Sequence, residues 1–179
     1  FAGRFESTEC GRTVRDLAAL RPDVVINCVG KIKQMTQNPG DLHYSNAVLP
    51  MELMTLLPPE TILVHPSTDC VFSGKATTPY LLTEPADAED VYGWSKFLGE
   101  RALLDRPQTL IPRVSIIGPD DRSNGPGLLN WFLRQADSSE VNGFTNHWWN
   151  GITTLEWCRK VERVLKEGEL VSHDKAVLV

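Results

Sequence analysis

The chain has few cysteines, and no two of them stand in C-x-x-C spacing. Cys10, Cys28, Cys70 and Cys158 are scattered through 179 residues, which argues against a disulfide framework. His43, His65, His147 and His173 are equally dispersed, so no metal site is expected. The cysteines are expected to be reduced and packed in a core. Long apolar runs are missing too: none approaches the ~20 residues of a membrane span, and no charged-then-apolar segment opens the sequence. A membrane partner is therefore not expected, and a cytoplasmic location is. Basic clusters are absent. The net charge is −5, the pI is near 5.4, and the longest basic group is Lys31 with Lys33, so nucleic acid is not an expected partner. There is no internal repeat and no low-complexity segment.

What is present is an ordinary globular composition. At 41% hydrophobic residues the chain has enough apolar surface for one substantial core. Strand and helix signals alternate, which points to an α/β fold with a parallel sheet and helices on its faces. Residues 13–20 carry a short helical pattern ended by Arg21 and Pro22. The continuous apolar run of residues 23–29 reads as a strand buried on both sides. Residues 30–44 read as a polar loop with Asn38, Pro39 and Gly40 as a turn, and residues 46–57 as a helix holding Pro50 in its first turn. A strand over residues 61–65 is followed by a long loop, 73–90, and a helix over 91–104. A strand over 109–117 contains Pro112, which should mark an edge, an end or a bulge. Beyond a loop at 119–127, residues 127–136 form an amphipathic pattern with Leu128, Leu129, Phe132 and Leu133 on its apolar side. Thr153 and Glu156 read as a capping box opening a helix to about Lys166, and residues 175–179 as a late strand.

One constellation carries chemistry. Ser67, Thr68 and Asp69 follow a strand, where open α/β sheets place ligand chemistry. Tyr92 lies 24 residues after Thr68, and Lys96 four after Tyr92, so the last two share a helix face. A phenol with its usual pKa of ~10 exchanges protons poorly at neutral pH, and a nearby ammonium is expected to lower that value. A hydroxyl from the neighbouring strand end can hold a carbonyl oxygen against the phenol, which then donates a proton as hydride reaches the carbon.

These residues, with others in the same order and spacing, resemble the extended short-chain dehydrogenase/reductases, and within them the dTDP-4-dehydrorhamnose reductase branch. The matching stretches are residues 21–30, 46–47, 63–74, 79–80 with Glu84, 91–100, 110–114 and 149–155. The resemblance implies a Rossmann-type parallel sheet with flanking helices and a small interleaved substrate-binding lobe. Residues 1–118 would be a partial NAD(P)-binding domain, and 119–179 mostly the lobe, interleaved with the end of the sheet. The implied activity is NAD(P)H-dependent reduction of a nucleotide-linked 4-keto-6-deoxy sugar for polysaccharide precursors. NADP or NAD is the implied cofactor, with NADPH the preferred form. Tyr92 would donate the proton, Lys96 would tune it and hold the nicotinamide ribose, and Thr68, assisted by Ser67, would position the carbonyl. Asn27, Cys28, Val29, Gly30, Asn46 and Arg113 would join Tyr92 and Lys96 along the cofactor. Lys31, Thr68, Asp69, Val71, Phe72, Trp149 and Asn150 would line the nucleotide-sugar substrate.

Local chemistry leaves other roles open for several of these. Asn27 suits a turn cap, Asn46 a helix N-cap and Arg113 a strand-end ion pair. Burial suits at least one of Trp148 and Trp149, a solvated loop suits Lys31, Lys33 and Gln34, and a structural role suits His65. The same triad serves epimerases, and some members of the branch bind the cofactor as regulatory subunits. A homodimer stays open. The sequence also departs from the family. It holds no G-x-x-G-x-x-G turn, Cys70 stands where a tyrosine is common, and residues 30–34 replace a different loop. The chain therefore reads as part of a longer reductase, lacking the N-terminal βαβ portion and the closing helices. Because the glycine-rich turn supplies the main anion site, residues 1–179 alone are expected to bind dinucleotide weakly or not at all. Titration with NADPH followed by calorimetry checks this, and tight binding would contradict it.

Overall fold

The computed structural model describes residues 10–36, 38–120, 125–168 and 177–178. They fall into two compact units, the described residues up to 113 with 168 and 177–178, and those between 114 and 167. In the first unit a parallel sheet has the strand order β1 (Val24–Ile26), β2 (Ile62–Val64), β4 (Thr109–Ile111), β8 (Val177–Leu178). β1 and β2 pair Val25 with Leu63, and β4 and β8 pair Ile111 with Leu178. The late strand expected over 175–179 thus exists at 177–178; Lys175, Ala176 and Val179 lie outside the described residues, as do residues 121–124 of the expected loop. Between these strands lie α1 (Cys10–Ala19), α2 (Pro39–His43), α3 (Leu49–Leu56), the two-residue β3 (Ser67–Thr68) and α4 (Val91–Leu103).

The core forms where α1, α3 and α4 cover one face of the sheet. Val14, Leu49, Leu53, Leu57 and Leu103 from the helical segments pack with Val25, Leu63 and Ile111 from the strands. Each fully buried aliphatic side chain contributes about 1.5–3 kcal/mol through removal from water. β1 does not match the expectation of a strand buried on both sides. Val24 and Ile26 are exposed and only Val25 is buried, because among the described residues helices cover a single face there. The cysteines also depart from expectation: Cys28, Cys70 and Cys158 are exposed, since each sits in a turn or on an outer helix face rather than inside a strand.

Two further differences come from proline. The turn expected at 38–40 is a helix start. The Asn38 side chain accepts from the Gly40 N–H at 2.9 Å and Pro39 opens α2, since an Asn-Pro pair serves as N-cap and first helical residue as readily as a turn. Pro50 does stand in the first turn of α3, as expected, but that helix is not separate from what precedes it. α2 continues through a π-helical turn, Tyr44–Val48, directly into α3. The Leu49 N–H reaches back to the Tyr44 carbonyl, five residues away. The wider turn gives the Pro50 ring room, and the missing Pro50 N–H leaves the Asn46 carbonyl without its usual helical donor. α4 lies against that carbonyl at Gly99, where an added Cβ would stand 2.1 Å from the Asn46 oxygen. Pro112 separates β4 from β5 (Arg113–Val114), so the single strand expected over 109–117 is broken into short pieces.

The second unit pairs β6 (Ile116–Ile117) with β7 (Ile152–Thr153) in parallel and carries α5 (Leu128–Leu133) and α6 (Thr154–Glu167). Thr153 Oγ1 accepts from the Glu156 N–H at 3.2 Å, the helix-opening bond that the capping box implies. α5 is shorter than its pattern and buries no residue, with Leu128, Phe132 and Leu133 all exposed.

The close contact at Gly99 yields a test. Alanine has the better helix propensity by about 1 kcal/mol, yet Gly99→Ala should destabilise the fold by about 1–3 kcal/mol through overpacking. Urea unfolding checks the sign; a stabilised variant would mean that α4 can retreat freely from the π turn.

Candidate active site

The strand ladder continues beyond the regular strands and gathers their carboxyl ends. The Asn27 N–H donates to the Val64 carbonyl at 2.8 Å, the His65 N–H to Leu110 at 2.8 Å and the Ser67 N–H to Pro112 at 2.7 Å. α4 begins above this edge. Asp90 caps it, accepting from the Gly93 N–H at 2.8 Å, and those backbone hydrogen bonds hold its carboxyl below the usual range. Gly93 lets the first turn sit against the short 3₁₀ turn Asp69–Val71, since a Cβ there would come within 2.2 Å of the Cys70 carbonyl oxygen. This contact brings Tyr92 beside Thr68, close enough for the Thr68 hydroxyl to act on the phenol's proton affinity. Thr68 Oγ1 also accepts from the Cys70 N–H and lies 3.1 Å from Asp69 Oδ1.

The electrostatics differ from the sequence expectation. Burial of much of its ring pushes the Tyr92 phenol above its ordinary value, and the nearby Thr68 hydroxyl opposes this only in part. Lys96 does not lower the phenol here. It is buried, with its ammonium donating to the Pro66 carbonyl at 2.6 Å, and burial lowers its own pKa to about 8 despite the nearby Glu100. The phenol is thus held in its protonated form at neutral pH.

Ser67 lies beside Thr68 but is otherwise engaged. Its hydroxyl donates to Glu100 Oε1 at 2.5 Å. Glu100 is 1% exposed and also receives Arg113, Nε at 2.9 Å and Nη2 at 2.7 Å. The Arg113 guanidinium is therefore committed to a buried bidentate pair, and it lies 5.0 Å from the centroid of Phe72, which stacks on Tyr80 at 4.4 Å. Val71 is fully buried beneath the turn, and Asp69 is exposed at its start.

The residues proposed for the cofactor divide in two. Asn46 is fully buried and acts as a clip: its Oδ1 accepts from the Lys31 N–H at 3.0 Å, while its Nδ2 donates to the Lys31 carbonyl at 2.9 Å and to Ser95 Oγ at 3.0 Å. It fastens the turn after β1 to α4. Asn27 is buried as well, its amide shared between the Val29 N–H and His65 Nδ1. Cys28 and Gly30 are exposed and Val29 half-exposed, so backbone of this turn faces outward. Lys31 pairs with Asp41 at 2.9 Å and Lys33 with Asp90 at 3.0 Å. Trp149 and Asn150 belong to the second unit. Trp149 Nε1 donates to Ser115 Oγ at 2.8 Å, and its ring lies against Gly151. The burial expected of at least one tryptophan is not found: Trp148 is 94% and Trp149 49% exposed, because the segment 141–150 lies entirely at the surface.

Two participants escaped the sequence reading. Glu100 lies four residues after Lys96 and so shares its helix face, a spacing visible in the sequence, while its burial is not. His65 hydrogen-bonds Asn27, and the Lys96 charge helps burial to lower its pKa. Among the described residues no group of three or more His, Cys, Asp or Glu is placed to hold a metal, and no helix is long and apolar enough to cross a membrane.

The family model described as RmlD substrate binding domain matches residues 6–142. The chain belongs to that family. It is 35% identical over 162 residues to a dTDP-4-dehydrorhamnose reductase of Salmonella typhimurium, covering 87% of this chain and 52% of that protein. It is 52% identical over 79 residues to the spore coat polysaccharide biosynthesis protein SpsK of Bacillus subtilis, covering 43% of this chain and 26% of that protein. The chain thus spans about half, or less, of the length of these curated relatives. In fold it is similar to a hypothetical dTDP-4-dehydrorhamnose reductase from Sulfolobus tokodaii, with a TM-score of 0.80 and 20% identity over 99% of this chain and 61% of that one. A dTDP-4-dehydrorhamnose reductase from Clostridium acetobutylicum gives a TM-score of 0.76 at 20% identity, covering 93% of this chain and 59% of that one. These likenesses establish the Rossmann-like α/β fold of this RmlD-family chain.

The Glu100 network should resist single substitution. Glu100→Gln leaves the Arg113 charge buried without its counter-ion, at a cost of about 3–5 kcal/mol. Adding Arg113→Met should recover much of that loss in denaturant unfolding. Equal stability of wild type and Glu100→Gln would mean that the ion pair holds nothing together.

Proposed function

We propose that this chain carries the proton-donating and substrate-carbonyl half of an NAD(P)H-dependent reductase of nucleotide-linked 4-keto-6-deoxy sugars, with NADPH preferred. The observation that carries the reading is the Thr68 hydroxyl set beside the half-buried, protonated phenol of Tyr92, with Lys96 on the same helix face. The relatives named as dTDP-4-dehydrorhamnose reductases and as a spore coat polysaccharide protein support the substrate class and a place in polysaccharide precursor synthesis.

The residues present fit the nicotinamide-ribose half of the cofactor. Tyr92 and Lys96 share a face of α4, and the outward turn at Cys28 to Gly30 offers small side chains and backbone. Gly30 has little room for a side chain, since a Cβ would meet Asn46 Oδ1 at 3.2 Å. When bound, the cofactor supplies hydride to the carbonyl carbon. The protein's part is acid catalysis. Thr68 holds the carbonyl oxygen by hydrogen bonding, and Tyr92 gives its phenolic proton to that oxygen as negative charge develops. Lys96, which retains two N–H groups beyond its bond to Pro66, holds the ribose.

Asn46 keeps the turn and the helix in register, and Ser67 acts through the Glu100 network rather than on the substrate. The second unit, with Trp149 and Asn150, serves as part of the substrate lobe. Exposed Val48, Met51 and Met54 before and along α3, and Trp94 and Leu98 on α4, favour a homodimer through these helices. The working location is the cytoplasm, where nucleotide sugars are made.

The test is oxidation of NADPH and NADH by the full-length protein with a dTDP-4-keto-6-deoxy sugar. Tyr92→Phe should lower turnover by about 10²–10⁴-fold with cofactor binding retained; undiminished turnover would overturn the assignment. The pH profile adds a second test. Lys96 is charged below its folded pKa of about 8 and loses its proton above it. kcat/KM for reduction should therefore fall as pH rises through about 8. A profile flat to well above that value would remove Lys96 from the mechanism.

A further inference from the structure

His65 is fully buried at the carboxyl end of β2, and its bonding to Asn27 fixes where its proton sits. The Asn27 amide has a single orientation. The Val29 N–H, which can only donate, lies 3.1 Å from Oδ1. The Asn27 Nδ2 group must then be the one facing His65 Nδ1, at 2.9 Å. A ring nitrogen that accepts carries no proton, so the neutral imidazole bears its hydrogen on Nε2. The ring stays neutral throughout the physiological range, since burial, with a smaller contribution from Lys96, lowers its pKa to about 3.

That Nε2–H meets no hydrogen-bond partner among the described residues, although buried donors are nearly always paired. The Lys96 charge is close enough to act on the His65 ring. The Lys96 ammonium sits on the carbonyl of Pro66, the residue next to His65, and has two further N–H groups. Both groups are donors here, and neither can accept from the other. A water molecule accepts from both and fits a polar buried site that offers it several partners. The second lone pair of the Pro66 carbonyl can take one of the water's protons.

We infer that a buried water joins His65 Nε2–H to the Lys96 ammonium, which makes His65 a positioning residue for Lys96. Asn27 sets the tautomer, His65 presents the donor, and the water holds the ammonium at the end of a fixed bridge. The other titratable groups facing Lys96 are Tyr92 one turn before it on α4 and Glu100 one turn after. The bridge keeps the ammonium hydrated on one side while Pro66 holds it on another. Its catalytic meaning rests on the reductase reading; its existence does not.

The experiment is nitrogen-15 NMR of the histidine rings and lysine ammonium groups in the full-length protein, with His65→Phe and His65→Gln. In the wild type His65 should be protonated at Nε2 and show a cross-peak from that hydrogen to a long-lived water. In His65→Phe the Lys96 titration midpoint should fall by about one pH unit as the ammonium loses its hydration. kcat/KM at neutral pH should fall on the order of ten-fold with the loss of one bridging hydrogen bond. His65→Gln, which keeps an N–H donor, should restore both. An unchanged Lys96 midpoint in a folded His65→Phe protein overturns the inference. If that variant does not fold, the wild-type spectrum decides, because a proton on Nδ1 or a missing water cross-peak also overturns it. Wild-type protein with the bridge in its spectra but no turnover would refute the reductase reading alone.

Discussion

A single buried carboxylate holds the site in place. Glu100 takes both prongs of Arg113 and the hydroxyl of Ser67, all within a protein interior where an unpaired charge is costly. Through it, α4 is fastened to β3 at Ser67 and to β5 at Arg113. Tyr92 and Lys96 lie two turns and one turn before Glu100 on that helix. Their distances from Thr68 and Pro66 are consequences of where Glu100 is anchored. The pair has little to gain as an ordinary stabilising contact, because desolvation offsets much of its attraction. Its geometric consequence is larger: it admits one position of the helix along its axis.

The remaining sides of α4 are set by close approach. Gly93 rests on the Cys70 carbonyl and Gly99 on the Asn46 carbonyl. The second contact exists because Pro50 has no N–H to give that carbonyl, so a proline inside a continuous helix, a π turn and a glycine on another helix form one arrangement. Asn46 adds a polar clip to the same place, tying the turn after β1 to Ser95. Ion pair, clip and glycine contacts together orient the helix that carries the working residues.

Burial sets the protonation states more than charge pairing does. Removal from water raises the phenol, weakens the ammonium and keeps the imidazole of His65 neutral. All three shifts disfavour charge, which suits a site that must deliver a proton rather than store a phenolate. The lysine four residues along a helix suggests from the sequence an activated tyrosine, whereas here its ammonium is turned to a backbone carbonyl.

Much of the fold was legible because parallel strands and amphipathic helices write their period into the chain, and the paired Tyr92 and Lys96 need only helical spacing to share a face. The alternating order of elements, the strand ending at Thr68 and the capping of α6 were all readable in this local way. Local signals misread the Asn38-Pro39 helix start, the one-sided burial of β1 and the exposed tryptophans, since each depends on what lies across from it. Glu100, Asn46 and His65 act through partners 13 to 49 residues away in sequence. By itself the sequence determined the class of fold and the residue types of the proton-transfer set, because these rest on periodicity and intrinsic chemistry. Only the tertiary structure decided which of those side chains are available to a ligand, which are consumed by one another and which carry a proton, because hydrogen-bond partners and burial come from distant segments meeting in space.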